Sequence, residues 1–152
     1  MNFSNKINIQ NKKARFNFEL IDKYEAGMQL FGTEIKSIRL GKANITESFC
    51  QFQGNELYII NMQIEEYALG THYNHKSKRD RKLLLHKREL KKLKKSMQDV
   101  GLAIVPLNMF INDGGKAKIN IALAKGKKLF DKRETIKDRD NKKNLARIKK
   151  NF

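Results

Sequence analysis

From Lys116 to Ala124 the chain alternates strictly: Ala117, Ile119, Ile121 and Leu123 fall on one side, Lys116, Lys118 and Asn120 on the other. A repeat of two residues puts every second side chain on one face of a strand and on no single face of a helix. Just upstream, Leu102 to Ile111 is a second apolar-rich run, and Asn112-Asp113-Gly114-Gly115 between the two is turn-forming in composition. The pair predicts a long antiparallel hairpin, and hence a mainly β architecture. After Ala124 the pattern stops. Gly126 interrupts it among lysines, and no comparable apolar face follows.

The rest of the chain supplies the partners of that hairpin. Residues 1–12 are polar with scattered apolar positions and read as a flexible arm. Lys13 to Leu20 reads as a strand with Ala14, Phe16, Phe18 and Leu20 on one face. Tyr24 to Leu30 reads as two helical turns. Gly32 opens another strand, Thr33 to Leu40, with room for a bulge near Ser37. Phe49–Gln53 and Glu56–Met62 flank Gly54-Asn55 as a second hairpin. Tyr67 to Lys82 has no periodicity and reads as a long loop, of the kind that carries function or disorder. His86 to Val100 places Leu90, Leu93, Met97 and Val100 at spacings of three and four, a helix stopped by Gly101. Five or six short strands and a helix after a long loop predict a small antiparallel β-barrel, closed in the manner of an OB-type fold, over residues 13–125.

Charge narrows the partner. The formal net charge is +17. Residues 76–95 hold eleven basic and two acidic residues, and residues 125–152 hold twelve and four, so these two segments account for the whole excess. Such concentration is the footprint of a polyanion binder. On the helix, Lys87, Arg88, Lys91, Lys92, Lys94 and Lys95 face away from the leucine stripe, either as a solvated face or as a set of phosphate contacts. Residues 126–152 read as a basic tail, with Asp131 and Glu134 in capping-box spacing, ordered by a partner such as RNA.

Other chemistries lack their residues. Cys50 is the sole cysteine, which excludes an internal disulfide framework and fits a reducing cytoplasm. There is no apolar run of membrane-spanning length and no signal-peptide core. His72, His75, His86 and Cys50 lack the spacing of a zinc site, and no phosphate-loop or dinucleotide motif occurs. No carboxylate has a readable acid–base partner. The expectation is a non-enzyme with no cofactor, no metal, no membrane association and no small-molecule substrate.

Three long segments carry a specific resemblance. GTEIKSIRLGKANITESF (Gly32 to Phe49), RKLLLHKREL (Arg81 to Leu90) and AKGKKLFDKRETIKDRD (Ala124 to Asp140) resemble the SsrA-binding protein family, also called small protein B. NKKARF from Asn11 and YEAG from Tyr24 fit in the same order. The resemblance implies an OB-type barrel with flanking helices and a C-terminal tail that is disordered when free. It implies binding to the tRNA-like part of transfer-messenger RNA and delivery of that RNA to stalled ribosomes. The tail would enter the empty mRNA channel of the small subunit, near the decoding centre, and turn helical there.

Carried over position by position, Asn11, Glu25 and Leu84 match family residues important for binding this RNA. Lys13, Arg15, Lys36, Arg39, Lys42, Arg81 and Lys82 match basic positions around them. Gly126, Lys127, Lys128, Asp131, Lys132 and Arg133 match the hinge and tail motifs, and Lys137 and Arg139 extend the basic set. Phe130 stands where the family has His or Tyr; it keeps an aromatic face, worth about 1–3 kcal/mol on a base, and loses the polar edge. Phe18 and Lys76 to Lys78 also depart from the family, which often has Tyr at the first position and Asp-Pro in the second segment. Leu84 remains open between a core residue and a contact for an unstacked base. The rival reading is a ribosomal or rRNA-binding structural protein of similar basicity; a nucleic-acid-processing enzyme lacks its residues.

Overall fold

The two runs that meet at Gly115 pair along almost their whole length. A computed structural model describes residues 7–70 and 74–127. In it β8 (Leu102–Ile111) and β9 (Ala117–Gly126) pair from Leu102↔Lys125 to Ile111↔Ala117. Gly115 closes the turn with φ +78°, a left-handed value that side chains with a Cβ avoid, and the Lys116 N–H donates to Asn112 Oδ1 at 2.9 Å.

The other described elements are β1 (Asn8–Gln10), α1 (Ala14–Asn17), β2 (Phe18–Met28), α2 (Gly32–Arg39), β3 (Ala43–Asn44), β4 (Phe49–Gln53), β5 (Glu56–Ile60), β6 (Gln63–Ile64), β7 (Arg81–Leu84) and α3 (Lys87–Ser96). Strands run in the order β1-β8-β4-β5-β7-β2-β9, all antiparallel, and β9 returns to β8. Six strands therefore close a cycle, and β1 adds to the outside of β8. The fold is mainly β with few helices, as expected.

Pro106 explains how one strand serves three neighbours. β8 takes β9 along one edge; along the other it takes β4 at Ile104 and β1 from Asn108 onward. Proline has no N–H for a ladder, and the β8–β9 register shifts between Pro106 and Asn108. The break falls where one partner ends and the next begins. The carbonyl of Pro106 accepts from Asn11 Nδ2 at 3.0 Å, which anchors the segment after β1.

Ile59, Leu57, Leu83, Ile104, Met109, Ile119 and Ile121 fill the interior, fully or almost fully buried. Ile38 of α2 and Leu93 of α3 join the same core. Hydrophobic burial at roughly 25 cal/mol per Å² makes this cluster the main favourable contribution to folding.

Five local expectations are corrected. The arm over residues 1–12 is not loose throughout: Asn8–Gln10 form β1 and pair with β8. Lys13–Leu20 is not one strand: α1 occupies Ala14–Asn17 and β2 starts at Phe18. Tyr24–Leu30 is no helix, because β2 runs on to Met28; burial alternates along the whole strand, but Ile21 is exposed and Asp22 half-buried, so residue polarity does not follow it. Thr33–Leu40 is helical, not extended, since Gly32–Arg39 form α2. Its buried face is Glu34, Ser37 and Ile38, two of them polar, so no apolar stripe marked it. Residues 81–84, which straddle the end of the expected loop, form β7. The Phe49–Gln53 hairpin forms as expected, with its second strand ending at Ile60 and not Met62; the helix after His86 forms but ends at Ser96, short of Gly101, and Val100 is fully exposed and not part of its buried stripe. Gly126 does not break β9 but ends it.

Candidate nucleic-acid interface

Strand register brings distant residues onto one outer face. Along β2, Glu25 and Gly27 point outward together, two residues apart. Glu25 pairs with Asn120 of β9, and Asn120 pairs with Asn108 of β8, which pairs with Gln10 of β1. Side chains tie the row together: Asn120 Nδ2 donates to Asn108 Oδ1 at 3.0 Å, and Asn108 Nδ2 donates to Asn8 Oδ1 at 3.0 Å. Asn11 and Arg15 line a cavity with Asn8 and Asn108 at this end. At the other end Gly27 pairs with both Leu84 and Lys118. An added Cβ at Gly27 would stand 3.4 Å from the Leu84 Cβ and 3.5 Å from Lys118 Nζ. Leu84 and Lys118 thus flank Gly27 from its two neighbouring strands at ordinary van der Waals distance.

Asn11, Glu25 and Leu84 thus lie along one continuous surface spanning β1, β8, β9, β2 and β7. Leu84 is 50% exposed, so of its two readings the core is excluded. It borders a cavity of about 330 Å³ with Met28, Leu30, Ile35, Lys116 and Lys118. An apolar floor with lysines at the rim suits a base and its phosphate. Asn11 is nearly buried, held by its bond to Pro106, so its side chain shapes this face from beneath.

The basic candidates divide by surroundings. Arg15 and Lys42 are exposed. Lys13 forms an exposed ion pair with Glu47 at 3.2 Å, and Lys82 a half-exposed one with Glu56 at 3.3 Å. Pairs so placed contribute little to stability, so both cations can exchange partners for a phosphate. Lys36 Nζ sits 5.5 Å over the Tyr67 ring, and Arg39 donates to the Gly115 carbonyl at 3.3 Å beside the hairpin turn.

Arg81 is placed differently: its side chain is fully buried. Its guanidinium pairs with the Glu34 carboxylate and donates to the carbonyls of Met62 at 2.6 Å, Ser77 at 3.1 Å and Lys76 at 3.3 Å. So enclosed, its guanidinium holds the segment before β7 in place and is not positioned to meet a phosphate directly. Arg79 joins the same carboxylate at 2.6 Å. Burial alone would raise the Glu34 carboxyl; the hydrogen bonds from Arg79, the Phe31 N–H and Arg81 outweigh it and hold its pKa below the ordinary value. His75, also buried, sits 2.9 Å from Thr33 Oγ1 and 3.0 Å from the Ile64 carbonyl, pinning the same segment to α2 and β6.

Sequence reasoning missed Asn8, Asn108, Glu34 and Arg79. The asparagines become visible only through register; Glu34, three residues after Phe31, carries a helix-start signal. On α3, Lys87, Lys91 and Lys94 line a cavity with Asn55 and Glu56, and Lys94 donates to Asn55 at 2.6 Å. Gly126 ends β9, and the Lys127 N–H donates to the Asn17 carbonyl at 2.9 Å. The tail positions Lys128, Phe130, Asp131, Lys132, Arg133, Lys137 and Arg139 lie outside the described residues. Among the described residues no group of His, Cys, Asp or Glu could hold a metal, and no helix is long and apolar enough to cross a membrane. Burial pushes the Cys50 thiol well above its ordinary pKa, which opposes any nucleophilic role.

Known proteins share this sequence and this architecture. A family described as "SmpB protein" matches residues 8–151. An SsrA-binding protein of Flavobacterium psychrophilum is 67% identical over 146 residues, 96% of this chain and 97% of the relative. One of Bacteroides thetaiotaomicron is 54% identical over 142 residues, 93% and 95% of the two chains. A solved chain from a structure described as "tmRNA-SmpB: a journey to the center of the bacterial ribosome" superposes with a TM-score of 0.68 at 44% identity, over 81% of this chain and 86% of that one.

Proposed function

The chain belongs to the SmpB protein family, and from that premise we propose that it is an RNA-binding adaptor of ribosome rescue. It binds the tRNA-like part of transfer-messenger RNA and delivers it to stalled ribosomes, acting in the cytoplasm where both are found. It catalyses nothing itself. The closed six-strand cycle is read as an OB-type barrel over residues 13–125, with 1–12 as an arm and 126–152 as the basic tail that probes the mRNA channel.

The observation that carries this reading is the convergence of Leu84, Glu25 and the Asn11 cavity on one outer face rimmed by Lys82, Lys116 and Lys118. Lysines position a protein on phosphates without reading sequence, and an exposed leucine with an apolar hollow behind it suits an unstacked base. A tail that folds only on arrival makes its insertion depend on the channel being vacant, because the ordering entropy must be offset by channel contacts.

Two measurements test the proposal. RNA that co-purifies with the chain should be dominated by transfer-messenger RNA, with affinity falling steeply as salt rises. A chain truncated before Gly126 should keep that RNA and lose the ability to support tagging on stalled ribosomes. Permanent association with translating ribosomes, with no enrichment of this RNA, would favour the structural rRNA-binding rival and overturn the reading.

A further inference from the structure

Phe31 occupies a position that local energetics does not explain. It is the residue before the first turn of α2, where Ser, Thr, Asp or Asn would cap the helix through a side-chain oxygen. Phenylalanine has none, and the free N–H groups gain nothing from it. The helix start is secured from the other direction, by Glu34 accepting from the Phe31 N–H at 2.8 Å. The ring meanwhile stands 56% exposed, an unfavourable arrangement for so large an apolar group.

The ring also has an anchored cation against it. The Arg79 guanidinium lies 4.2 Å from its centroid. Arg79 is itself fixed, by the buried Glu34 carboxylate at 2.6 Å and by the Gln29 carbonyl at 3.4 Å. One carboxylate thus orients both the backbone under the ring and the cation beside it. The platform sits at the Leu84 end of the outer face, because the Gln29 N–H still donates to the Lys82 carbonyl and Phe31 follows two residues on. Leu30, between them, lines the Leu84 cavity.

We propose that Phe31, backed by Arg79, is a preorganised stacking ledge for one unpaired base of the RNA partner. The inference rests on the functional reading above and adds a site to it. Aromatic and guanidinium planes accept any base, since every base has a π-face. A ring already braced by an anchored guanidinium loses less rotamer freedom on binding than a free one. Glu34 serves it as a positioning residue, touching ring backbone and cation but not the ligand.

The sequence has no tryptophan, so Phe31→Trp introduces a single reporter at the ledge. The full chain is titrated with a transcript of the tRNA-like portion of transfer-messenger RNA. Phe31→Trp keeps an aromatic plane and should still bind the transcript more tightly than Phe31→Ala, with its emission quenched as the base stacks. Phe31→Ala should bind roughly 5- to 150-fold more weakly, the range for losing one stacked base. Phe31→Leu, which keeps apolar bulk, should fall with it, and both should retain the wild-type salt slope because every phosphate is still met by its lysine. Thermal melting of each variant separates a folding defect from a binding one. Binding within twofold of wild type for Phe31→Ala and Phe31→Leu, with tryptophan emission unmoved at saturation, overturns the ledge and leaves the functional reading standing. Loss of ribosome association with RNA affinity unchanged also overturns it, assigning the ring to another partner. A wild-type chain that ignores the transcript overturns the functional reading and the ledge with it.

Discussion

Replacing Glu34 by glutamine tests the buried hub directly. Glu34 and Arg81 are both fully buried, and the carboxylate also holds Arg79 and the Phe31 N–H. Glutamine preserves shape and removes the charge, leaving the Arg81 guanidinium enclosed without its counterion. Breaking a buried pair from one side costs about 3–5 kcal/mol, because the remaining charge keeps its desolvation penalty. At about 2–4 °C per kcal/mol for a chain of this size, the melting temperature should fall by roughly 6–20 °C. Removing the second charge as well should not restore stability. In Glu34→Gln/Arg81→Met the buried Met62 carbonyl loses its donor, while the Lys76 and Ser77 carbonyls keep only the N–H groups of Arg79 and Ile64. Each buried unsatisfied group costs about 1–3 kcal/mol. Urea denaturation followed by circular dichroism gives the global values, and amide hydrogen exchange shows whether residues 75–80 open first. A loss below about 1 kcal/mol for Glu34→Gln, or full recovery in the double variant, would refute the claim that this carboxylate and this guanidinium organise the segment before β7.

Acid should act on the same group. The Glu34 carboxyl titrates below its ordinary value when folded, so its contribution is complete above the unfolded pKa of about 4.3 and is lost as pH falls through the folded value; Glu34→Gln should flatten that part of the stability curve. Lys82→Gln and Lys118→Gln should each weaken RNA binding and lower the salt slope by about one for each phosphate no longer neutralised, measured by filter binding across salt concentrations. Cys50 should resist a maleimide in the native state and react once urea unfolds the chain, because the thiol is buried and its pKa is raised. Ile59→Ala, in the middle of the core, should cost about 2–5 kcal/mol without altering the salt slope of RNA binding.

Much of the fold was legible where a single period governs. Lys116–Ala124 shows its strand because its inward face is wholly apolar, and the Gly54-Asn55 and Asn112–Gly115 turns carry residues suited to tight reversals. α3 was legible because Leu90 and Leu93 keep helical spacing against a lysine face. Legibility failed where interior positions are polar. α2 buries Glu34 and Ser37, and a buried glutamate makes sense only when Arg79 and Arg81 arrive from more than forty residues away. In β2 an exposed Ile21 and a half-buried Asp22 invert the polarity that the alternation of burial would require.

The candidate surface divides the same way. Composition alone pointed to a polyanionic partner, because charge adds without regard to conformation, and the ordered motifs alone marked the family. Which side chains share that surface was decided by strand pairing. Asn11, Glu25 and Leu84 become neighbours on one face only when β1, β2 and β7 take their places in the closed cycle, and Asn108 and Asn120 join them through register. Burial, too, is a property of the assembled molecule. It withdrew Arg81 from the surface and left Leu84 on it, though the two stand three residues apart in one strand, because alternate side chains of a strand face opposite sides of the sheet.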